Sequence, residues 1–306
     1  MTCGHHRVPV LMMVHAHPDD ESSLTGGTLA RYSAGGWRTV LVTCTDGGQG
    51  DTADGLKPGD PGHDPRLVAA ARSGELDRAA AALGVHDVVA LGYPDSGVSL
   101  EAAAVDRDAA FSTRPMRPML IRLVRLIRMY RPDVLVTYPP NGLSGHPDHI
   151  RTHDLVSAAH ANVVANSQAE SAMSDPSPAT AWGPQLYHIA LSRTRLRGVA
   201  DWARATLGED TWVPPEAMAV ADDDITTAID VAAFWTHKLR ALGAHASQAD
   251  AAALLRIFTT AAGPNGRVEE YVRVHPPVIT VTSPTVESEF SSFPASRGVS
   301  RWTPQL

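Results

Sequence analysis

Residues 8–14, VPVLMMV, form an almost unbroken aliphatic run bounded by turn-prone positions, the pattern of an interior strand covered on both faces in a parallel sheet. Similar runs at 39–45 (TVLVTCT), 85–93 (VHDVVALGY), 133–140 (DVLVTYPP) and 185–192 (QLYHIALS) read as further strands. Between them apolar positions recur at helical spacing. Leu24, Leu29 and Tyr32 mark a helix stopped by Gly35-Gly36, residues 66–84 a helix closed by Gly84, and residues 116–132 a third. A fourth opens at Asp148 or a neighbour and runs to about residue 164, which leaves His146 and Asp148 in the preceding loop and His149 in the first turn. Strands alternating with helices predict an α/β fold, a Rossmann-like doubly wound and mostly parallel sheet built from right-handed crossovers.

Beyond the fourth strand the pattern weakens. Residues 166–184 look like a polar, Pro-containing connection, and 195–280 like a mixed region with a helix near 228–242. Residues 283–306 are Ser, Thr and Pro with few aliphatics, as expected of a disordered tail. The domain expectation is therefore a Rossmann-like core over 1–165, the rest of the sheet and a smaller mixed C-terminal lobe lining the cleft over 166–282, and the tail. Residues 46–65, rich in Gly, Asp and Pro, predict a long loop at the ligand-binding sheet edge, placed to act as a lid.

Composition narrows the partners. A chain of 306 residues, 43% hydrophobic, can bury a substantial core, and a formal net charge of −7 argues against a nucleic-acid or anionic-membrane surface. No apolar stretch is long enough to span a bilayer and no leader pattern precedes residue 8, so neither membrane insertion nor secretion is expected and a cytoplasmic location is. Two cysteines cannot build a disulfide framework: Cys44 lies in an apolar run as a buried thiol, and Cys3 belongs to the terminus. These features do not specify an oligomeric state.

Two polar clusters carry the chemistry. HAHPDDE follows the first strand and HPDH follows the fourth, both at the carboxyl edge where open α/β sheets bind ligands. His17 and Asp20 stand three apart across Pro18, and His149 comes from another strand end, so two imidazoles and a carboxylate converge if the two strands are neighbours. That is a common donor set for Zn²⁺, and for Fe²⁺ as well. Asp19 is then a carboxylate beside the metal, suited to be a general base. His153, four residues after His149, is assigned to packing or to outer support. The plain alternative is that Asp19, Asp20 and Glu21 merely cap a helix. A non-catalytic phosphate-binding reading fares worse, since the loop at 47–50 lacks GxGxxG and the first βα turn presents acids where phosphate needs N–H groups.

HAHPDDE and HPDH, with Arg72 in ARSGELDRAAAALG, Asp95 in GYPDSG and AHASQ at 244–248, resemble in the same order the LmbE/PIG-L family of zinc-dependent N-deacetylases. VHAHPDDESS, TLARY and HPDHIRTH are similar to its mycothiol branch, which comprises the N-acetylglucosaminyl-inositol deacetylase and the mycothiol S-conjugate amidase. The resemblance implies removal of an N-acetyl group from an N-acetylglucosamine-type small molecule, giving amine and acetate, or the related amidase reaction. It implies His17, Asp20 and His149 as metal ligands and Asp19 as general base. It further implies His146, oriented by Asp148, at the substrate carbonyl or leaving amine. Arg72, Asp95, His245 and Gln248 would contact substrate. Ser144 stands where the mycothiol enzymes carry a Tyr, and DGGQGD lacks their Glu residues.

Overall fold

The aliphatic run at the amino terminus becomes β1 (Val10–His15), every residue of which is buried. The computed structural model describes residues 7–98, 109–174, 182–260 and 267–274. After β1 come a π-helical turn (Glu21–Thr25), α1 (Gly26–Ala34), β2 (Arg38–Thr45), α2 (Pro65–Leu83), β3 (Asp87–Tyr93), α3 (Met116–Tyr130), β4 (Val134–Thr137) and α4 (Pro147–Ser174). The chain continues through β5 (Gln185–Ala190), α5 (Arg193–Leu207), β6 (Thr227–Asp230), α6 (Trp235–Ala244), α7 (Ala249–Thr260) and β7 (Val268–Val274).

The strands make one sheet in the order β3-β2-β1-β4-β5-β7-β6. The first five run parallel, while β7 lies antiparallel to β5 and to β6. The α/β, mostly parallel architecture expected from the alternation holds. Period-two alternation explains why β1 is aliphatic throughout: Leu11 and Met13 join one apolar cluster, with Leu29, Leu83 and Trp235. Val10, Met12 and Val14 join the other, with Leu123, Ile127 and Leu155. Cys44 is buried in that second cluster as a free thiol.

Some boundaries differ from the sequence expectation. The helix α4 extends to Ser174 instead of ending near 164, because residues 165–174 hold no Gly or Pro and suit an exposed helix, with the first proline at Pro176. The start of the expected 228–242 helix is a strand: Thr227 and Ile229 point inward, Asp230 outward, and β6 pairs with β7. The helix itself begins at Trp235. Cys3 and the tail at 283–306 lie outside the described residues. Among the described residues no helix is long and apolar enough to cross a membrane.

A long-range cap ties the C-terminal strands to the first helix. Glu269 on β7 accepts the Gly27 and Thr28 backbone N–H groups at 2.9 and 2.7 Å, where the amino-terminal dipole of α1 favours an anion. Lys238 of α6 neutralises it at 2.5 Å and donates to the Ser23 carbonyl at 2.8 Å. Gly27 permits this approach: a Cβ there would stand 2.5 Å from Val231 Cβ. Gly27→Ala is therefore expected to destabilise by about 1–3 kcal/mol through overpacking, although alanine is the better helix former. Urea unfolding checks this, and a stabilised variant would contradict the close approach.

Candidate metal centre

The chain leaves β1 toward β2 and β3 on one side and returns to β4 and β5 on the other, so β1 and β4 are hydrogen-bonded neighbours at the point where strand order reverses. Loops from the two strand ends part there and leave a crevice. His17 and Asp20 follow β1, and His149 lies in the first turn of α4 after β4. The strand adjacency on which their convergence depended is present.

His17 Nδ1, His149 Nε2 and the Asp20 carboxylate face one point. His149 Nε2 lies 3.3 Å from His17 Nδ1, Asp20 Oδ2 lies 3.4 Å from His17 Nδ1, and Asp20 Oδ1 lies 3.4 Å from His149 Nε2. Donors about 2.0–2.2 Å from a tetrahedral ion are about 3.3–3.6 Å apart; the separation of the two ring nitrogens fits one divalent cation, and one Asp20 oxygen faces each nitrogen. Two other groupings of donor atoms also surround His17, one with His146 and His149 and one with Asp95 and Asp148. The second uses the far ring nitrogen: Nε2 is 3.2 Å from Asp148 Oδ2 and 3.5 Å from Asp95 Oδ1. A carboxylate on the outer nitrogen of a liganding histidine fixes its ring and raises its basicity.

Electrostatics also fits a cation. Burial alone would lower the His17 pKa, but Asp95, Asp148 and Asp20 outweigh it and hold the ring well above its ordinary value. Asp20 is held well below the carboxylate range against burial, by His149 and His17. Among the described residues Asp148 Oδ1, which is buried, has no hydrogen-bond partner. A centre that draws a proton onto a buried imidazole has spare negative charge for a metal.

Asp148 corrects an expectation. It lies in the first turn of α4 and not in the loop, and its carboxylate serves His17 and the Ser96 N–H (2.9 Å) instead of orienting His146. Its backbone N–H, however, donates to His146 Nδ1 at 3.1 Å. Burial, with His17 and His149 adjacent, lowers His146 to about 3, so the ring is neutral with its proton on Nε2. Ser144 is exposed and its Oγ accepts the His146 backbone N–H at 3.4 Å. His153 Nδ1–H donates to the Tyr138 carbonyl at 3.0 Å.

Sequence reasoning missed Tyr138. Its hydroxyl donates to Asp20 Oδ2 at 2.7 Å and accepts the Ala16 N–H at 2.9 Å, while its ring stacks on His149 at 4.2 Å between centroids. The only sequence signal was an aromatic hydroxyl at the end of an otherwise aliphatic strand.

Asp19 adopts φ 117°, an uncommon conformation for a residue other than glycine. Arg72 holds it, donating to Asp19 Oδ2 at 2.9 Å, to the Gly47 carbonyl at 2.8 Å and to the Pro18 carbonyl. The glycine loop at 47–50 wraps this guanidinium so closely that a Cβ on Gly50 would overlap both Arg72 and Gln248. Burial raises the Asp19 carboxyl to about 6 despite Arg72. Asp95 is buried too, with Oδ1 accepting from Gly97 at 2.8 Å and Oδ2 from Gln49 at 3.3 Å. Arg72 and Asp95 were expected to grip substrate; their polar groups are engaged mainly by the protein. The same holds for His245, bonded to Glu21 Oε1 at 2.7 Å, and for Gln248, bonded to the Asp51 backbone at 3.1 and 3.0 Å. Glu21 was read only as a possible cap, and its buried pairing with His245 went unforeseen.

Residues 12–160 match the family described as PIG-L, GlcNAc-PI de-N-acetylase. The 1D-myo-inositol 2-acetamido-2-deoxy-alpha-D-glucopyranoside deacetylase of Thermobifida fusca is 38% identical over 255 residues, covering 78% of this chain and 82% of its own. Among solved structures, N,N'-diacetylchitobiose deacetylase from Pyrococcus horikoshii has a TM-score of 0.57 at 20% identity, over 87% of this chain and 83% of that one. The 4-carboxy-2-hydroxymuconate hydratase of Pseudomonas putida has a TM-score of 0.58 at 18% identity, over 90% and 100%. Those two likenesses carry the fold alone, and a hydratase among them means that the fold does not choose the reaction.

Tyr138→Phe keeps the ring on His149 but removes the bond to Asp20. Zinc affinity is expected to fall about 10- to 100-fold. Competition against a chromophoric chelator measures it, and unchanged affinity would deny Tyr138 a role in holding Asp20.

Proposed function

The chain belongs to the PIG-L, GlcNAc-PI de-N-acetylase, family, and from that premise we propose that it is a metal-dependent amide hydrolase. It removes the N-acetyl group from an N-acetylglucosamine-type small molecule, with the GlcNAc-inositol of its named relatives as first candidate, and releases a free amine and acetate. The observation that carries this reading is the mutual approach of His17 Nδ1, Asp20 and His149 Nε2 to 3.3–3.4 Å with Asp19 alongside.

In this reading His17, Asp20 and His149 would hold zinc, or ferrous iron, which the same donors accept. When bound, the metal supplies Lewis-acid polarisation of the amide carbonyl and of the attacking water. Asp19 takes the proton from that water. Its Oδ2 is held by Arg72, and among the described residues no hydrogen bond engages Oδ1. The His146 Nε2–H donates to the carbonyl oxygen as negative charge develops there, a task that suits a ring kept neutral. Asp19 then returns the proton to the departing amine. Asp95 and Asp148 fix the His17 ring, and Arg72 fixes Asp19.

The test is amine release from a panel that includes N-acetylglucosaminyl-inositol and N-acetylglucosamine, using zinc-loaded protein. Asp19→Asn is expected to retain metal and lose most turnover, and His149→Ala to lose both. Metal retained at full affinity by His149→Ala would contradict the ligand set, and silence of metal-loaded wild type across the panel would contradict the substrate class. The rate is expected to fall with decreasing pH as Asp19 protonates, along a limb at or below about 6, because burial raises this carboxyl and a bound cation lowers it. A rate that climbs as pH drops through that range would remove Asp19 as base.

A further inference from the structure

The segment after α6 reaches three parts of the centre at once. His245 Nε2 donates to Glu21 Oε1 at 2.7 Å, and both side chains are fully buried. The other oxygen of that carboxylate, Oε2, accepts the Asp19 backbone N–H at 2.9 Å. Two residues on, the Ser247 N–H and hydroxyl both donate to Glu75, at 2.9 and 2.8 Å, one helical turn beyond Arg72 on α2. Gln248 then pairs in both directions with the Asp51 backbone in the loop that wraps Arg72.

We propose that His245, Ser247 and Gln248 form a positioning clamp that holds Asp19 in its strained conformation, His245 acting through Glu21 and the other two through the elements that carry and enclose Arg72. The proposal rests on Asp19 being the general base. The physical argument is that a residue at φ 117° returns to an ordinary conformation unless its surroundings fix it from several sides. Here its N–H is held by Glu21, its carbonyl by the Ser22 and Ser23 N–H groups at 3.0 Å, and its carboxylate by Arg72. Without the charge-assisted bond from His245, Glu21 Oε1 keeps only the Ser22 hydroxyl, at 2.5 Å, to fix its orientation. The hydrogen bonds of all three clamp residues are to protein, which is the signature of positioning and not of substrate contact.

The experiment compares wild type with His245→Leu, which removes the donor, and His245→Gln, which restores an N–H of similar reach. Each is assayed for kcat, KM, metal content and site-resolved amide hydrogen exchange. In His245→Leu, kcat is expected to fall about 10- to 100-fold with metal content unchanged. KM is expected to stay within about twofold. The Asp19 amide should exchange faster while β1 amides keep their protection, and His245→Gln should recover most of both losses. A raised KM at constant kcat, or an Asp19 amide whose exchange does not change, would overturn the clamp. If metal-loaded wild type hydrolyses nothing, the functional reading fails and exchange alone decides the clamp. Should the leucine variant not fold, Glu21→Gln weakens the same bond from its other side, with faster Asp19 exchange expected and unchanged exchange overturning the proposal.

Discussion

Negative charge buried at one sheet edge is the constraint around which this molecule is organised. Asp20, Asp95 and Asp148 are all buried beside His17, Glu21 is buried against His245, and Asp19 is partly buried among them. Uncompensated, each would cost several kcal/mol. The compensation comes from separate parts of the chain: Arg72 from α2 for Asp19, His245 from the end of α6 for Glu21, and His17 between Asp20 on one ring nitrogen and Asp95 with Asp148 on the other. Positive charge is still needed where His17 Nδ1, Asp20 and His149 meet, which is the chemical case for a divalent cation there.

Topology makes the gathering possible. Reversal of strand order between β1 and β4 brings two polar segments, about 130 residues apart in sequence, to adjacent strand ends. The C-terminal strands matter because β7 supplies Glu269 to the start of α1, directly after the turn that carries Asp20 and Glu21. Through Lys238 and Ser23 the same network touches that turn. The centre is thus braced from the C-terminal strands as well as from its own loops.

The legible part of this design was the local part. An aliphatic run ending in His17, Pro18, Asp19 and Asp20 announces a strand and a site at once, and HPDH repeats the pattern, so the two clusters could be paired before the sheet was known. The parts that escaped depend on which residues meet across long separations. Tyr138 looks like the last residue of a strand until its hydroxyl is found on Asp20. Lys238 and Glu269 look like surface charges until both are found buried. The family resemblance paired Asp148 with His146, yet in the fold its carboxylate meets His17. The strand β6 is short and lies at the sheet edge, while β7, between β5 and β6, buries the consecutive residues Glu269, Glu270 and Tyr271, so neither shows the apolar alternation that marks a strand.

The central claim is the position of the cation, and anomalous scattering from zinc-loaded crystals measured at the zinc absorption edge tests it most directly. One peak within about 2.0–2.3 Å of His17 Nδ1, an Asp20 oxygen and His149 Nε2 is the predicted result. A peak on the other ring nitrogen of His17, between Asp95 and Asp148, or one held by His146 without Asp20, would contradict the account.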